Sequence, residues 1–559
     1  MKADPADLPN DGVRFGRSLG TAVFEGDIGG ALLKAAEAHA ARPALWALGH
    51  RLTYADLFDR AARIAAAIDA AGVRPGERVA ILCRRNATAY ASVLGVLLAG
   101  CSYMPLNTAF PKLRNQSMLQ DAAAAALIVD EACADKLESL LEPLDAKLPV
   151  IRPEAGDGAL EIGGRPVRLP DGEGPAFRRS TRRPAGRDQL AYLLFTSGTT
   201  GRPKGVPITH ANLAAYLAAI ARVWPTRDDD RVMQIADLTW DLSVHDMFTA
   251  WLNGAELYSM PENTTAFAPR AIAQHGLTTG IMVPSAVARM LEKKTAKPGS
   301  MPSLRVTYFC GEALPRSVAE GWQAAAPNSR IVNIYGPTEA TVVVCAYDLR
   351  PDQAGELPVV PLGPSFGDQK VALFTPDGRN VPPGEVGEIC ISGTQVMSGY
   401  WGDAALTDQK IVTIGGERWY RTGDLGRRVE PHGFLFAGRA DRQVKVRGFR
   451  VELQEIESVV RRVTGREQVA VIAWPRNHLG DAEGFVAFVC GPEADTGQIR
   501  SGCRAIVADY MVPDRVVFLP EMPVNANGKV DYRSLAEHPS LSPERQPTTD
   551  GAGSEMARL

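Results

Sequence analysis

From Leu52 onward the chain alternates between alanine-rich stretches with apolar positions at helical spacing and short β-branched runs. LTYADLFDRAARIAAAIDAAG ends at Gly72, a C-cap signal, and RPGE then leads into VAILC, which reads as a buried strand. The same alternation recurs at ALIVD, YLLFT, GIMVP, RVTYFC and RIVNIYG, each flanked by helix-like segments. It predicts an α/β fold of parallel sheets covered by helices. The most apolar run, Tyr90 to Leu106, falls short of the ~20 residues of a spanning helix and carries Gly, Ser and Pro. It reads as a buried helix running into a strand.

Residues 152–188 are crowded with Gly, Pro and charge and read as an exposed excursion between two subdomains. After residue 370 the pattern turns to short strands and turns, VALFTPDGRNVPPGEVGEICISG, predicting a small antiparallel or β-barrel-like subdomain. After Arg439 a compact α+β segment follows, with QEIESVVRRV as a helix and VAVIAW and GFVAFVC as strands. The expected division is a large N-terminal unit, 1–440, a small C-terminal unit, 441–538, and a polar, disordered tail, 539–559. No internal repeat is present.

Composition narrows the partners. In 559 residues, 45% hydrophobic and 22% charged residues support a large core and exclude wholesale disorder. Lys and Arg number 61 against 64 Asp and Glu, a net charge of −3, so no basic excess tracks a phosphate backbone and nucleic acid is excluded as the main partner. Eight cysteines lie far apart without a C-x-x-C pair, as expected of reduced, mostly buried thiols. The start, MKADPADLPNDG, lacks the basic-then-apolar pattern of a signal peptide, so a cytoplasmic protein without membrane association is expected.

Two segments could carry chemistry on local pattern alone. Gly16-Arg17-Ser18-Leu19-Gly20 fits the nucleophile elbow G-x-S-x-G, but a polar stretch precedes it where the elbow needs a buried strand, and it reads as a chance match. In YLLFTSGTTGRPKGV an apolar strand runs into Thr196, Ser197, Gly198, Thr199, Thr200 and Gly201, followed by Lys204. Converging backbone N–H groups, hydroxyls and a lysine make a phosphate cradle. It is not the Walker form, since two residues separate Gly201 from Lys204 and Gly205 follows the lysine.

The cradle is one of several ordered motifs: LTYADL from Leu52, YMPLN from Tyr103, NIYGPTEAT from Asn333, GEICISG from Gly387, YRTGDLG from Tyr420, GRADRQVKVRGFRVELQEIE from Gly438 and NANGKVD from Asn525. Over roughly residues 30–535 the set resembles the adenylate-forming (ANL) superfamily. It is most similar to amino-acid adenylation domains of nonribosomal peptide synthesis, with acyl-CoA synthetases and luciferases as more distant relatives. The resemblance implies an N-terminal core binding ATP and the amino acid, and a mobile lid carrying a catalytic lysine, Lys529. It assigns ATP binding to the cradle from Thr196 to Lys204 and to Tyr335, Gly336, Thr338, Asp424 and Arg439. Glu339 is implied as the Mg²⁺ ligand, a hard oxygen donor for a hard cation, and Thr196 joins it and Lys529 as catalytic. Physical reasons stand beside these roles: an aromatic face at Tyr335 suits adenine, and two oxygens at Asp424 suit a pair of ribose hydroxyls. Asp441 matches the family hinge about which the lid would rotate, presenting Arg447 and Arg450 to a carrier.

The acid to be activated is read from Asp241. In amino-acid-activating relatives an aspartate here pairs with the substrate ammonium; its structural alternative is a helix N-cap. The other pocket positions implied are Leu242, His245, Ile281, Tyr308, Cys310, Ile334, Val342 and Val343, mostly apolar and with no carboxylate besides Asp241. A small or medium neutral amino acid is expected: alanine-like, by similarity to D-alanine–carrier-protein ligases, with serine- or proline-like acids open. His245 could bond a hydroxyl or simply pack. Asn107 and NANGKVD depart slightly from the family pattern. No G-G-x-S phosphopantetheine site follows NGK, so a free-standing enzyme loading a separate carrier protein is expected. An acyl-CoA ligase and a non-catalytic ATP-binding relative are the alternatives.

Overall fold

A computed structural model describes residues 27–541 apart from 143–147, 155–159, 163–164, 168–172, 199–201, 350–356, 447, 476–481 and 526–529. Two eight-stranded sheets form its centre. In the first, Arg330–Tyr335, Val306–Phe309, Thr279–Met282, Arg231–Gln234, Glu256–Ser259 and Pro43–Ala47 run parallel, with antiparallel edges at Cys345–Leu349 and His50–Thr53. In the second, Leu190–Thr196, Ser102–Pro105, Arg78–Leu82, Ala126–Val129 and Val150–Arg152 are parallel, and Lys204–Thr209 closes one edge antiparallel to Leu190–Thr196.

Local sequence accounts for the helices between them. Tyr54–Ala70 starts at Thr53, whose side chain and that of Asp56 make a reciprocal capping box. Ala87–Leu98 is buried along every residue from Thr88 to Leu98, as the long apolar run predicts. The two helices touch at Gly95, where an added Cβ would stand 2.8 Å from the Ala61 carbonyl oxygen, so only glycine permits the approach. The following strand, Ser102–Pro105, completes the expected helix-to-strand run.

The short strands after residue 370 form a five-stranded antiparallel sheet, with Glu417–Val429 long enough to pair with three neighbours. Beyond it the hairpin Gln443–Val446 with Phe449–Glu452 leads into helix Leu453–Thr464, which buries Leu453, Ile456, Val459 and Val460 and ends at Gly465 in the left-handed region. Strands Val469–Ala473, Phe485–Cys490 and Arg515–Leu519 make a small sheet beside it.

The 152–188 segment departs from the expected exposed excursion. Strands Leu160–Ile162 and Arg165–Val167 extend the second sheet, and helix Gly174–Thr181 carries Arg178, buried against Asp59 at 2.7 Å. Composition places the charges of this segment in solvent, whereas this one is buried and paired. Gly16–Gly20 and nearly all of the expected tail lie outside the described residues. Seven of the eight cysteines are buried and all eight are free. Among the described residues no helix is long and apolar enough to cross a membrane.

Candidate active site

The functional side chains sit where α/β sheets concentrate them, just past the carboxyl ends of parallel strands. Thr196 ends one strand, Asp241 opens the helix after Arg231–Gln234, Cys310 follows Val306–Phe309, and Tyr335 ends Arg330–Tyr335. Asp241, Cys310 and Tyr335 border one cavity of about 900 Å³, which also meets Asp424, Arg439 and the C-terminal hairpin.

In the cradle, Gly198 has no room for a side chain, since a Cβ would lie 2.0 Å from the Arg202 carbonyl oxygen. Its N–H donates to Glu455 Oε2 at 3.2 Å, and Ser197 Oγ donates to the Arg450 carbonyl at 2.8 Å. Thr196 Oγ1 is buried without a hydrogen-bond partner among the described residues. Lys204 is buried, its Nζ 3.8 Å from Glu339 Oε1 and 3.6 Å from Glu452 Oε1. Burial and neighbouring Arg450 lower its pKa to about 8, against the pull of the two carboxylates. Thr199, Thr200 and Gly201 lie outside the described residues, as do Arg447 and Lys529.

Glu339 is fully buried on a 3-10 turn, Thr338–Ala340. Burial alone would raise its pKa; the Arg450 guanidinium at 2.8 Å, Lys204 and the Tyr400 hydroxyl at 2.7 Å outweigh it and hold the carboxylate well below the usual range. Val342, β-branched, lies just beyond with φ +70°, and Gln395 restrains the loop by donating from Nε2 to the carbonyls of Ala340, Thr341 and Val343. Asp424 accepts from the Tyr335 hydroxyl at 2.6 Å and pairs with Arg439, which bridges to Asp441 at 2.7 Å.

Asp241 is the first residue of helix Asp241–Leu252, whose N-cap is Trp240, so it stands one residue past the capping position. It borders the cavity beside Thr338, and burial raises its pKa from 3.8 to about 6 against the opposing pull of Thr338. Of the other eight pocket positions, Leu242, Ile281 and Cys310 reach the cavity. Tyr308, Ile334, Val342 and Val343 pack in the apolar core behind them. His245 is buried there too, bonded through Nδ1 to the Tyr216 hydroxyl at 2.6 Å and edge-on to Tyr308, with burial lowering its pKa to about 4. It is a packing histidine in this arrangement.

Several contributors escape the sequence. Arg450, expected to face a carrier, points inward instead, because buried Glu339 needs a cation. Asp246 is a further acidic side chain at the cavity, buried, with Oδ1 unpartnered among the described residues. Tyr400 and Gln395 lie in none of the motifs. Arg450, Glu452 and Glu455 do fall inside the GRADRQVKVRGFRVELQEIE motif, but their partners in the core are more than a hundred residues distant, which no local pattern reveals.

Comparison with known proteins places this geometry. The AMP-binding enzyme family model matches residues 32–401, and that of the AMP-binding enzyme C-terminal domain matches 455–529. The chain therefore belongs to the AMP-binding enzyme family, the adenylate-forming superfamily anticipated from the motifs. Novobiocin biosynthesis protein H of Streptomyces niveus is 33% identical over 506 residues, 89% of this chain and 80% of that protein. Tyrocidine synthase 2 of Brevibacillus parabrevis is 31% identical over 490 residues, 87% of this chain, but the chain spans only 13% of that much longer relative. Among solved structures, the Vibrio cholerae adenylation domain AlmE in complex with glycyl-adenosine-5'-phosphate shares 31% identity at a TM-score of 0.83, over 94% of this chain and 99% of that one.

Proposed function

We propose that this enzyme activates a small neutral α-amino acid, of glycine or alanine size, as its aminoacyl adenylate, using ATP and Mg²⁺, and transfers it to the phosphopantetheine thiol of a carrier protein. The observation that carries the reading is Asp241 at the cavity edge beside Leu242, Ile281 and Cys310, with Tyr308, Ile334, Val342 and Val343 packed in the apolar core. A buried carboxylate suits an α-ammonium and leaves an uncharged acid unable to satisfy it. The similar adenylation domain AlmE, solved in complex with glycyl-adenosine-5'-phosphate, supports a small side chain.

The residues fit the roles required. The Thr196 hydroxyl, unpartnered among the described residues, Ser197, the Gly198 N–H and Lys204 supply donors for phosphate oxygens, and Glu339 supplies an anionic oxygen for the magnesium ion. Bound there, Mg²⁺ would neutralise charge building on the phosphates. Tyr335, Gly336 and Thr338 would border the adenine and α-phosphate, and Asp424 with Arg439 would hold the ribose. The substrate carboxylate attacks the α-phosphorus and pyrophosphate leaves, with Lys529 taking up developing negative charge. No protein nucleophile is needed. Cys310, at the pocket, has a thiol pushed up by burial to about 12 and serves as a wall. Asp441 would act as the hinge for the transfer step.

An ATP–pyrophosphate exchange panel over glycine and the D- and L-amino acids tests this. Exchange confined to glycine, alanine or serine is expected. Exchange only with large or charged side chains, or with none, overturns the reading, and thioester formation on free CoA as fast as on a carrier would reassign the acceptor.

A further inference from the structure

Three of the donors suited to a triphosphate are engaged by the chain's own C-terminal segment. Ser197 Oγ donates to the Arg450 carbonyl (2.8 Å), the Gly198 N–H to Glu455 (3.2 Å), and Lys204 lies 3.6 Å from Glu452. Glu339, the carboxylate suited to a metal ion, is held by the Arg450 guanidinium. Oxygen acceptors thus stand where phosphate oxygens would, and a cation stands beside the acid where a metal would.

This engagement is pinned from behind. Arg114, on helix Lys112–Asp121, pairs through Nη1 with Glu455 Oε1 at 2.7 Å, with the two side chains 4% and 0% exposed. Gln443 donates to Glu452 and accepts from Arg450, tying the carboxylate to the cation. A buried pair of this kind resists separation, because parting it leaves two uncompensated charges. The nucleoside and amino-acid side of the site is left accessible: Tyr335, Asp424, Thr338 and Asp241 all still border the cavity.

We propose that Arg114 and Glu455 form a lock that holds the C-terminal domain in this orientation, with Glu452, Glu455 and Arg450 occupying the triphosphate and metal subsites, so that lid locking and pyrophosphate occupancy exclude each other. Arg114 is then a positioning residue for the transfer half-reaction and dispensable for adenylation. The inference rests on the proposed function for which step the lock serves, but not for the exclusion itself.

The test uses the full chain and magnesium pyrophosphate as the probe, titrated by calorimetry without amino acid or ATP. Arg114→Ala and Glu455→Gln each remove one side of the lock, and both are expected to bind pyrophosphate about tenfold more tightly than the parent enzyme, with AMP affinity unchanged. Glycine- or alanine-dependent exchange should persist in Arg114→Ala while carrier loading falls about tenfold, and Arg114→Lys should restore part of it. Unchanged pyrophosphate affinity in both variants overturns the lock, as does a parallel loss of exchange and loading. Glu455→Gln keeps shape and an acceptor for Gly198, so the binding result survives misfolding of the arginine variant. The calorimetry needs no amino acid, so it succeeds or fails independently of the substrate assignment.

Discussion

Replacing Asp241 by Asn should make the ligand-free protein more stable and the enzyme worse, and the size of both effects follows from burial. The carboxyl pKa rises from 3.8 to about 6, chiefly by burial, with Thr338 pulling the other way. The sign is that of an acid whose folded pKa exceeds its unfolded value: the cost is absent below pH 3.8, grows as pH rises, and is complete above about 6. A rise of about two pH units at ~1.36 kcal/mol each gives a penalty of about 3 kcal/mol at neutral pH. Asn removes it without changing shape. Differential scanning fluorimetry at pH 7.5 should therefore show a midpoint a few degrees higher for the variant, with the gap closing toward pH 4. On the proposed pairing of Asp241 with a substrate ammonium, kcat/KM in exchange assays should fall by roughly two to three orders of magnitude. Equal or lower stability of Asp241→Asn at pH 7.5 would refute the burial argument, and an unchanged kcat/KM would refute the ammonium pairing.

Other consequences can be measured alongside. Ile281→Ala removes a wall of the pocket, so exchange should extend to valine- or leucine-sized acids while glycine and alanine weaken; an unaltered panel would remove Ile281 from the specificity wall. Gln395→Ala leaves the carbonyls of Ala340, Thr341 and Val343 without this donor and should cost about 2–3 kcal/mol in denaturant melts, with exchange falling as Glu339 is displaced. ATP affinity should weaken above about pH 8, where ligand-free Lys204 loses its proton, with net proton uptake on binding in that range by calorimetry in buffers of different ionisation enthalpy.

The elements themselves were legible because their signals are local. A capping box at Thr53, an apolar run that could only be buried, and the glycine stop at Gly465 each act within a few residues. The antiparallel partners were less so: Lys204–Thr209 follows the cradle and folds back on Leu190–Thr196, a pairing that depends on the loop geometry and not on periodicity. Helix Gly174–Thr181 was hidden by composition, since its arginine looks solvated until Asp59 is brought beside it.

The same division runs through the site. Residue types and order along the chain were enough to assign the family, and the resemblance then nominated Thr196, Asp241, Glu339 and Asp424, residue types whose donors and acceptors suit the roles it implies. Which of the nominated pocket residues reach open space, and which lie packed behind, depended on side-chain volume summed over several strands. Only the tertiary structure turned Arg450 inward onto Glu339 and set Arg114 against Glu455 across 341 residues of chain. Burial is the physical reason: a charge taken out of water must find an opposite charge in space, and spacing along the sequence carries no record of which one.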